Sequence, residues 1–159
     1  MFTIQKRRVL APELLRKFSF FASFSLEHLE QIAETAPRVS FKANTVVFRQ
    51  GDHSTTMYLI LKGGVRIERE DPDGESISVG QLVEHQIFGE LAMLSEEPRQ
   101  ATVTTMVDSE FLVIDRDMML NIIRRSNAEE ILEVFSALST QMRDANDREF
   151  QQVLARKTV

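Results

Sequence analysis

A chain of 159 residues, 43% of them hydrophobic, is the size of one domain and long enough to bury a core without metal or disulfide support. It has no cysteine, which excludes a disulfide framework, thiolate metal sites and a cysteine nucleophile. Nineteen basic residues against twenty-four acidic ones give a net charge of −5, with no basic block beyond Lys6-Arg7-Arg8, so a broad basic face for non-specific nucleic-acid binding is excluded as well.

Those three basic residues precede the aromatic stretch Phe18, Phe20, Phe21 and Phe24, a pattern to weigh against a secretion signal. Glu13, Arg16 and Lys17 interrupt any continuous apolar region, and the uncharged run Phe18 to Leu26 is too short to span a bilayer. The chain therefore reads as soluble and cytoplasmic, with no membrane segment, and the aromatic cluster reads as core. Residues 12 to 35 are expected to form short helices, with Pro12 in a first turn and Ser25 as N-cap before Leu26, Leu29, Ile32 and Ala33 at helical spacing.

From Arg38 to Asp115 the pattern changes to short stretches rich in Val, Ile, Phe and Thr, such as Thr45 to Phe48 and Met57 to Leu61. Turn signals separate them at Lys42-Ala43-Asn44, Gln50-Gly51-Asp52, Gly63-Gly64 and Asp71-Pro72-Asp73-Gly74. Such spacing favours a compact β-barrel or sandwich over a parallel sheet. Val65, Ile67, Ile77 and Val79 alternate with polar neighbours, as strands with one buried face do.

After Asp115 the period is helical again. Met118, Met119, Ile122 and Ile123 form one apolar face. Ile131, Phe135, Leu138, Met142 and Ala145 form a heptad-like stripe on a second, longer helix, capped at Ser126-Asn127, with Glu129 and Glu130 at its positive end. The stripe suits both packing on the β part and pairing with a second subunit. If it is a dimer seam, Leu138→Glu yields a folded monomer; if it packs internally, the same change unfolds the chain.

Within the β region, residues 88 to 103 read Phe-Gly-Glu-Leu-Ala-Met-Leu-Ser-Glu-Glu-Pro-Arg-Gln-Ala-Thr-Val. Gly89 can bring backbone close to a ligand, the helix-forming run Glu90 to Leu94 starts at once with free amides, and Arg99 supplies a planar, doubly donating positive charge suited to phosphate. Glu90 can accept hydrogen bonds from a ribose hydroxyl, or simply favour the helix start as a first-turn acid.

This segment closely resembles the phosphate-binding cassette of the cyclic-nucleotide-binding domain family, which includes catabolite activator protein and the regulatory subunits of cyclic-AMP-dependent protein kinase. The matching residues are Phe88, Gly89, Glu90, Leu91, Ala92, Pro98, Arg99, Ala101, Thr102 and Val103. The resemblance implies mixed α and β structure, an antiparallel eight-stranded, jelly-roll-like β-roll with N-terminal helices and two C-terminal helices. The resemblance covers roughly residues 14 to 145 of a chain whose length reads as a single domain over 1–159, with the roll at about 38–115 and the C-terminal helices, serving as lid or dimer seam, at about 116–155.

It also implies the ligand-binding set Gly89, Glu90, Leu91, Ala92, Arg99, Gln100 and Ala101. In that set Arg99 meets the cyclic phosphate, Glu90 the ribose 2′-hydroxyl, and the backbone N–H groups of Ala92 and Gln100 phosphate oxygens. Gln100 departs from the alanine, serine or threonine that family members carry there, and its longer amide could reach the base or point to solvent. The absence of threonine, whose hydroxyl favours guanine, argues mildly for cyclic AMP over cyclic GMP. His85 departs from a turn glycine and would need a left-handed backbone. Phe135, Leu138 and Met142 are the helical-phase candidates for the purine.

The function implied is a cyclic-nucleotide sensor, with no cofactor, no metal and no catalysis, signalling by movement of the C-terminal helices to an effector domain or protein. Residues after Met118 read as helix and leave no room for a DNA-binding domain. One rival reading is a protein-interaction module with a vestigial pocket. Another is a phosphodiesterase, for which the sequence offers no metal cluster, nucleophile–base pair or acid pair.

Overall fold

A computed structural model describes residues 2–4 and 10–157, with residues 148–157 described by backbone alone. Lys6, Arg7 and Arg8 lie outside the described residues. Among the described residues no helix is long and apolar enough to cross a membrane.

The strands are β1 (Phe2–Ile4), β2 (Arg38–Phe41), β3 (Val46–Phe48), β4 (Thr56–Lys62), β5 (Gly64–Glu70), β6 (Ser76–Val83), β7 (Ile87–Phe88), β8 (Thr102–Thr105) and β9 (Ser109–Asp115). They form two antiparallel sheets, ordered β1-β2-β9-β4-β7 and β3-β8-β5-β6. Strands β2 to β9 are the eight strands of the roll. The edge strand β1 adds a ninth, and its three residues pair with β2 through backbone, Phe2 opposite Phe41, without the alternating pattern that would announce a strand.

Strand β4 shows why the run Met57 to Leu61 is apolar without a break. Met57 and Leu59 face one core cluster, while Tyr58 and Ile60 face another, so both sides of the strand are covered. Its partner β9 divides in the same way, Leu112 and Ile114 against Phe111 and Val113. The inner cluster fills the roll. The outer one joins the sheet to the N-terminal turns and the helices, with Phe18, Phe20, Phe21 and Phe24 all buried in it as the sequence suggested.

The expected N-terminal helices are two 3-10 segments, Pro12–Lys17 and Ser19–Phe21, followed by α1 (Leu26–Thr35). Ser25 caps α1 by accepting from the His28 amide at 3.3 Å. After the roll come α3 (Arg116–Arg125) and α4 (Ala128–Lys157), with the six-residue α2 (Glu90–Ser95) between β7 and β8. Asn127 and Glu130 cap α4 reciprocally, each side chain accepting from the other's amide at 2.9 Å.

Helix α4 corrects one expectation. Leu138 is buried with Val134 in the outer cluster, while Phe135, at 60% exposure, and Met142, at 40%, face away from it. The apolar stripe is therefore divided between two faces of the helix. One docks on the 3-10 segment Ser19–Phe21 and on β6; the other presents Leu132, Phe135 and Met142 to solvent.

Candidate functional site

The site is built on the connection between β7 and β8. Gly89 follows β7 with φ +81°, a conformation that L side chains adopt only at a cost. A Cβ there would stand 2.7 Å from Arg99 Nη1 and 3.0 Å from the Thr56 carbonyl. The space glycine frees is thus taken by the arginine of the same segment. His85, in the turn from β6 to β7, has φ +69°, and its ring lies edge-on to Phe18 with centroids 5.8 Å apart.

The backbone of Arg99 is held by the turn before β4. Its amide donates to the Asp52 carbonyl at 2.8 Å, and its carbonyl accepts from the Gly51 amide at 2.7 Å. The guanidinium runs inward. Nη1 donates to the Gly89 carbonyl at 3.0 Å, and Nη2 to the Thr56 carbonyl at 2.7 Å and hydroxyl at 2.9 Å. Its carbon lies 4.0 Å above the centre of the Phe48 ring, within cation–π range. Arg99 Nε is buried with no hydrogen-bond partner.

Arg99 is only 3% exposed, yet among the described residues no carboxylate stands within ion-pair distance of it. Burial pulls its pKa below the ordinary arginine value, and the negative charge available on Tyr58, Asp52 and Glu90 offsets part of that shift. A desolvated cation with an unused donor favours an anion beside it.

Arg99 lines a cavity of about 180 Å³. All seven candidate residues, Gly89, Glu90, Leu91, Ala92, Arg99, Gln100 and Ala101, line it. Glu90 is 8% exposed at the first position of α2. Gln100 sits at the rim with its side chain engaged, accepting from Arg69 Nη2 at 3.4 Å and donating to Glu97 at 3.5 Å.

The far wall is Ile67, Val79, Gly80, Gln81 and Leu82, from β5 and β6. The alternation expected of Val65, Ile67, Ile77 and Val79 is interrupted there, because the ladder shifts register between Ile67 and Glu68 and the phase of β6 changes at Val79–Gly80. Phe135, Leu138 and Met142 do not line the cavity; among the described residues, those of α4 that do are Ala145 and Asn146, further along the helix. Asn146 and the Thr56–Phe48 seat of Arg99 escaped the sequence. Thr56 lies 43 residues from Arg99, and one polar position on a helix carries no signal of its own.

Fold and cavity together define a class, the β-roll module with a pocket between the roll and a C-terminal helix. Residues 38–126 match the profile of the cyclic nucleotide-binding domain. The cAMP-dependent protein kinase regulatory subunit of Dictyostelium discoideum is 33% identical over 117 residues, 72% of this chain and 36% of that protein. The cAMP-activated global transcriptional regulator Vfr of Pseudomonas aeruginosa is 30% identical over 123 residues, 75% of this chain and 55% of that one.

Among solved structures, Thermus thermophilus catabolite activator protein aligns with a TM-score of 0.70 at 25% identity, over 86% of this chain and 62% of that one. The chain belongs to the cyclic nucleotide-binding domain family. It spans about a third to a half of the length of these two sequence relatives.

Proposed function

We propose that this chain is a cyclic-nucleotide sensor that takes cyclic AMP ahead of cyclic GMP and signals through α3 and α4. The observation that carries the reading is Arg99, a buried cation without a carboxylate partner among the described residues and with an unused Nε donor, beside a cavity lined by the whole cassette. Arg99 holds the cyclic phosphate. Glu90 takes the ribose 2′-hydroxyl, and the amides of Ala92 and Gln100 complete the phosphate contacts.

The base lies against β5 and β6 and is covered by α4, where Asn146 offers both a donor and an acceptor to the purine edge. Gln100 has no hydroxyl to offer guanine, and its amide is engaged with Arg69 and Glu97, which supports adenine. The exposed residues Leu132, Phe135 and Met142 favour pairing of α4 with a second copy as part of the output.

Calorimetric titration of the folded, nucleotide-stripped protein tests the reading. Saturable heats with cyclic AMP, weaker ones with cyclic GMP, are expected. No heat from either nucleotide replaces the sensor with an interaction module on a vestigial pocket.

A further inference from the structure

The short helix α2 presents an accounting problem at its C-terminal end, because the last four carbonyls of any helix lack intrahelical partners. Ser95 Oγ donates to the Leu91 carbonyl at 2.8 Å, and the Glu96 amide to the Ala92 carbonyl at 3.1 Å. The carbonyls of Met93 and Leu94 are met from outside the helix. Arg116 Nη1 donates to the Met93 carbonyl at 2.9 Å and to the Leu94 carbonyl at 2.6 Å. Arg116 Nε also pairs with the Glu96 carboxylate at 3.4 Å, and Glu96 caps α2 in the left-handed region at φ +59°, where a non-glycine residue is strained.

Arg116 is the first residue of α3, and its own position is fixed. Its amide donates to the Thr55 carbonyl at 3.1 Å, and Asp115, which caps α3 by accepting from the Met118 amide at 2.8 Å, lies opposite Thr56 in the β4–β9 ladder. Thr56 is also the residue that seats the Arg99 guanidinium. The start of α3 therefore touches the cassette twice, at the end of α2 through the Arg116 side chain and at Arg99 through Thr56.

We infer that Arg116 is a positioning residue that fastens α2 to α3, so that a displacement of α2 by an occupant of the cavity is carried into the C-terminal helices. Its planar fork suits the task, because one guanidinium reaches two carbonyls and a carboxylate at once, which the single ammonium of a lysine cannot reproduce. The fastening itself stands on the geometry alone; its use in signalling rests on the cyclic-nucleotide reading above.

Hydrogen exchange on wild type, Arg116→Ala and Arg116→Lys, each with and without saturating cyclic AMP, tests both parts. Without nucleotide, Arg116→Ala is expected to speed exchange over residues 90–97 at least tenfold while β4 and β9 stay as protected as in wild type. Arg116→Lys is expected to restore only part of that protection. With nucleotide, the alanine variant is expected to bind yet to lose more than half of the added protection that wild type gains over residues 116–125.

An unchanged rate over 90–97, or an equal rise in β4 and β9, overturns the fastening. A full gain of protection over 116–125 in the alanine variant overturns its role in signalling. If wild-type protein binds neither cyclic AMP nor cyclic GMP, the proposed function falls, and the comparison without nucleotide still decides whether Arg116 fastens the two helices.

Discussion

Arg99 sits with an aromatic ring on one side and two backbone carbonyls on the other, an arrangement that is costly for a charge unless something repays the loss of water. The carbonyls of Gly89 and Thr56 repay part of it, and Nε remains without a partner. A bound phosphate would supply the missing charge, so truncating the arginine leaves a desolvated anion unmatched. Such a truncation costs about 2–5 kcal/mol, and Arg99→Ala is expected to weaken cyclic AMP at least tenfold by calorimetry. An unchanged isotherm would sink the phosphate assignment. Arg99 was legible in the sequence because it lies inside a dense local motif. Its seat on Thr56 and Phe48 was not, because those residues come from β4 and β3 and meet it only through the roll.

At the scale of elements, the β pattern was legible wherever a strand has one wet face or a glycine turn at its end. The hairpin from β5 to β6 turns at Asp71-Pro72-Asp73-Gly74, with the Asp71 carboxylate accepting from the amides of Asp73 and Glu75 at 2.9 Å. Helix α4 shows where the pattern stops being decisive. Two apolar stripes run along it, one through Val134 and Leu138, the other through Leu132, Phe135 and Met142, and periodicity alone cannot say which one meets the roll.

Packing decides it. Leu138, 8% exposed in the outer core, should not tolerate a charge, and Leu138→Glu is expected to cost at least about 2 kcal/mol and lower the melting temperature, the outcome that marks intramolecular packing. Phe135→Glu is expected to leave the melt within a few degrees of wild type. If α4 pairs with a second copy, that variant alone converts a dimer to a monomer by light scattering; a wild type already monomeric removes α4 pairing from the proposal.

For the whole molecule, the decisive fact is that the cavity has walls from different parts of the fold. Its floor is the cassette, its back is β5 and β6, and its remaining side is α4 at Ala145 and Asn146. Helix α4 is also held to the outer core through Val134 and Leu138, so an occupant that touches Asn146 strengthens the docking of the helix as it fills the roll. A ligand shifts an arrangement only if it binds one form better than another, and Asn146 is a contact the cavity has only while α4 is docked. Ligand at a hundred times its Kd stabilises the form it binds by about 2.7 kcal/mol, which for a domain of this size is a rise of roughly 5–10 °C in Tm. Cyclic AMP is therefore expected to raise Tm by that amount in wild type. In Asn146→Ala, the loss of one hydrogen bond of about 0.5–1.5 kcal/mol should weaken the nucleotide roughly two- to tenfold and shrink the rise at fixed concentration. A full rise in the alanine variant, with affinity unchanged, would mean that the nucleotide is held by the roll alone and that α4 does not cover it.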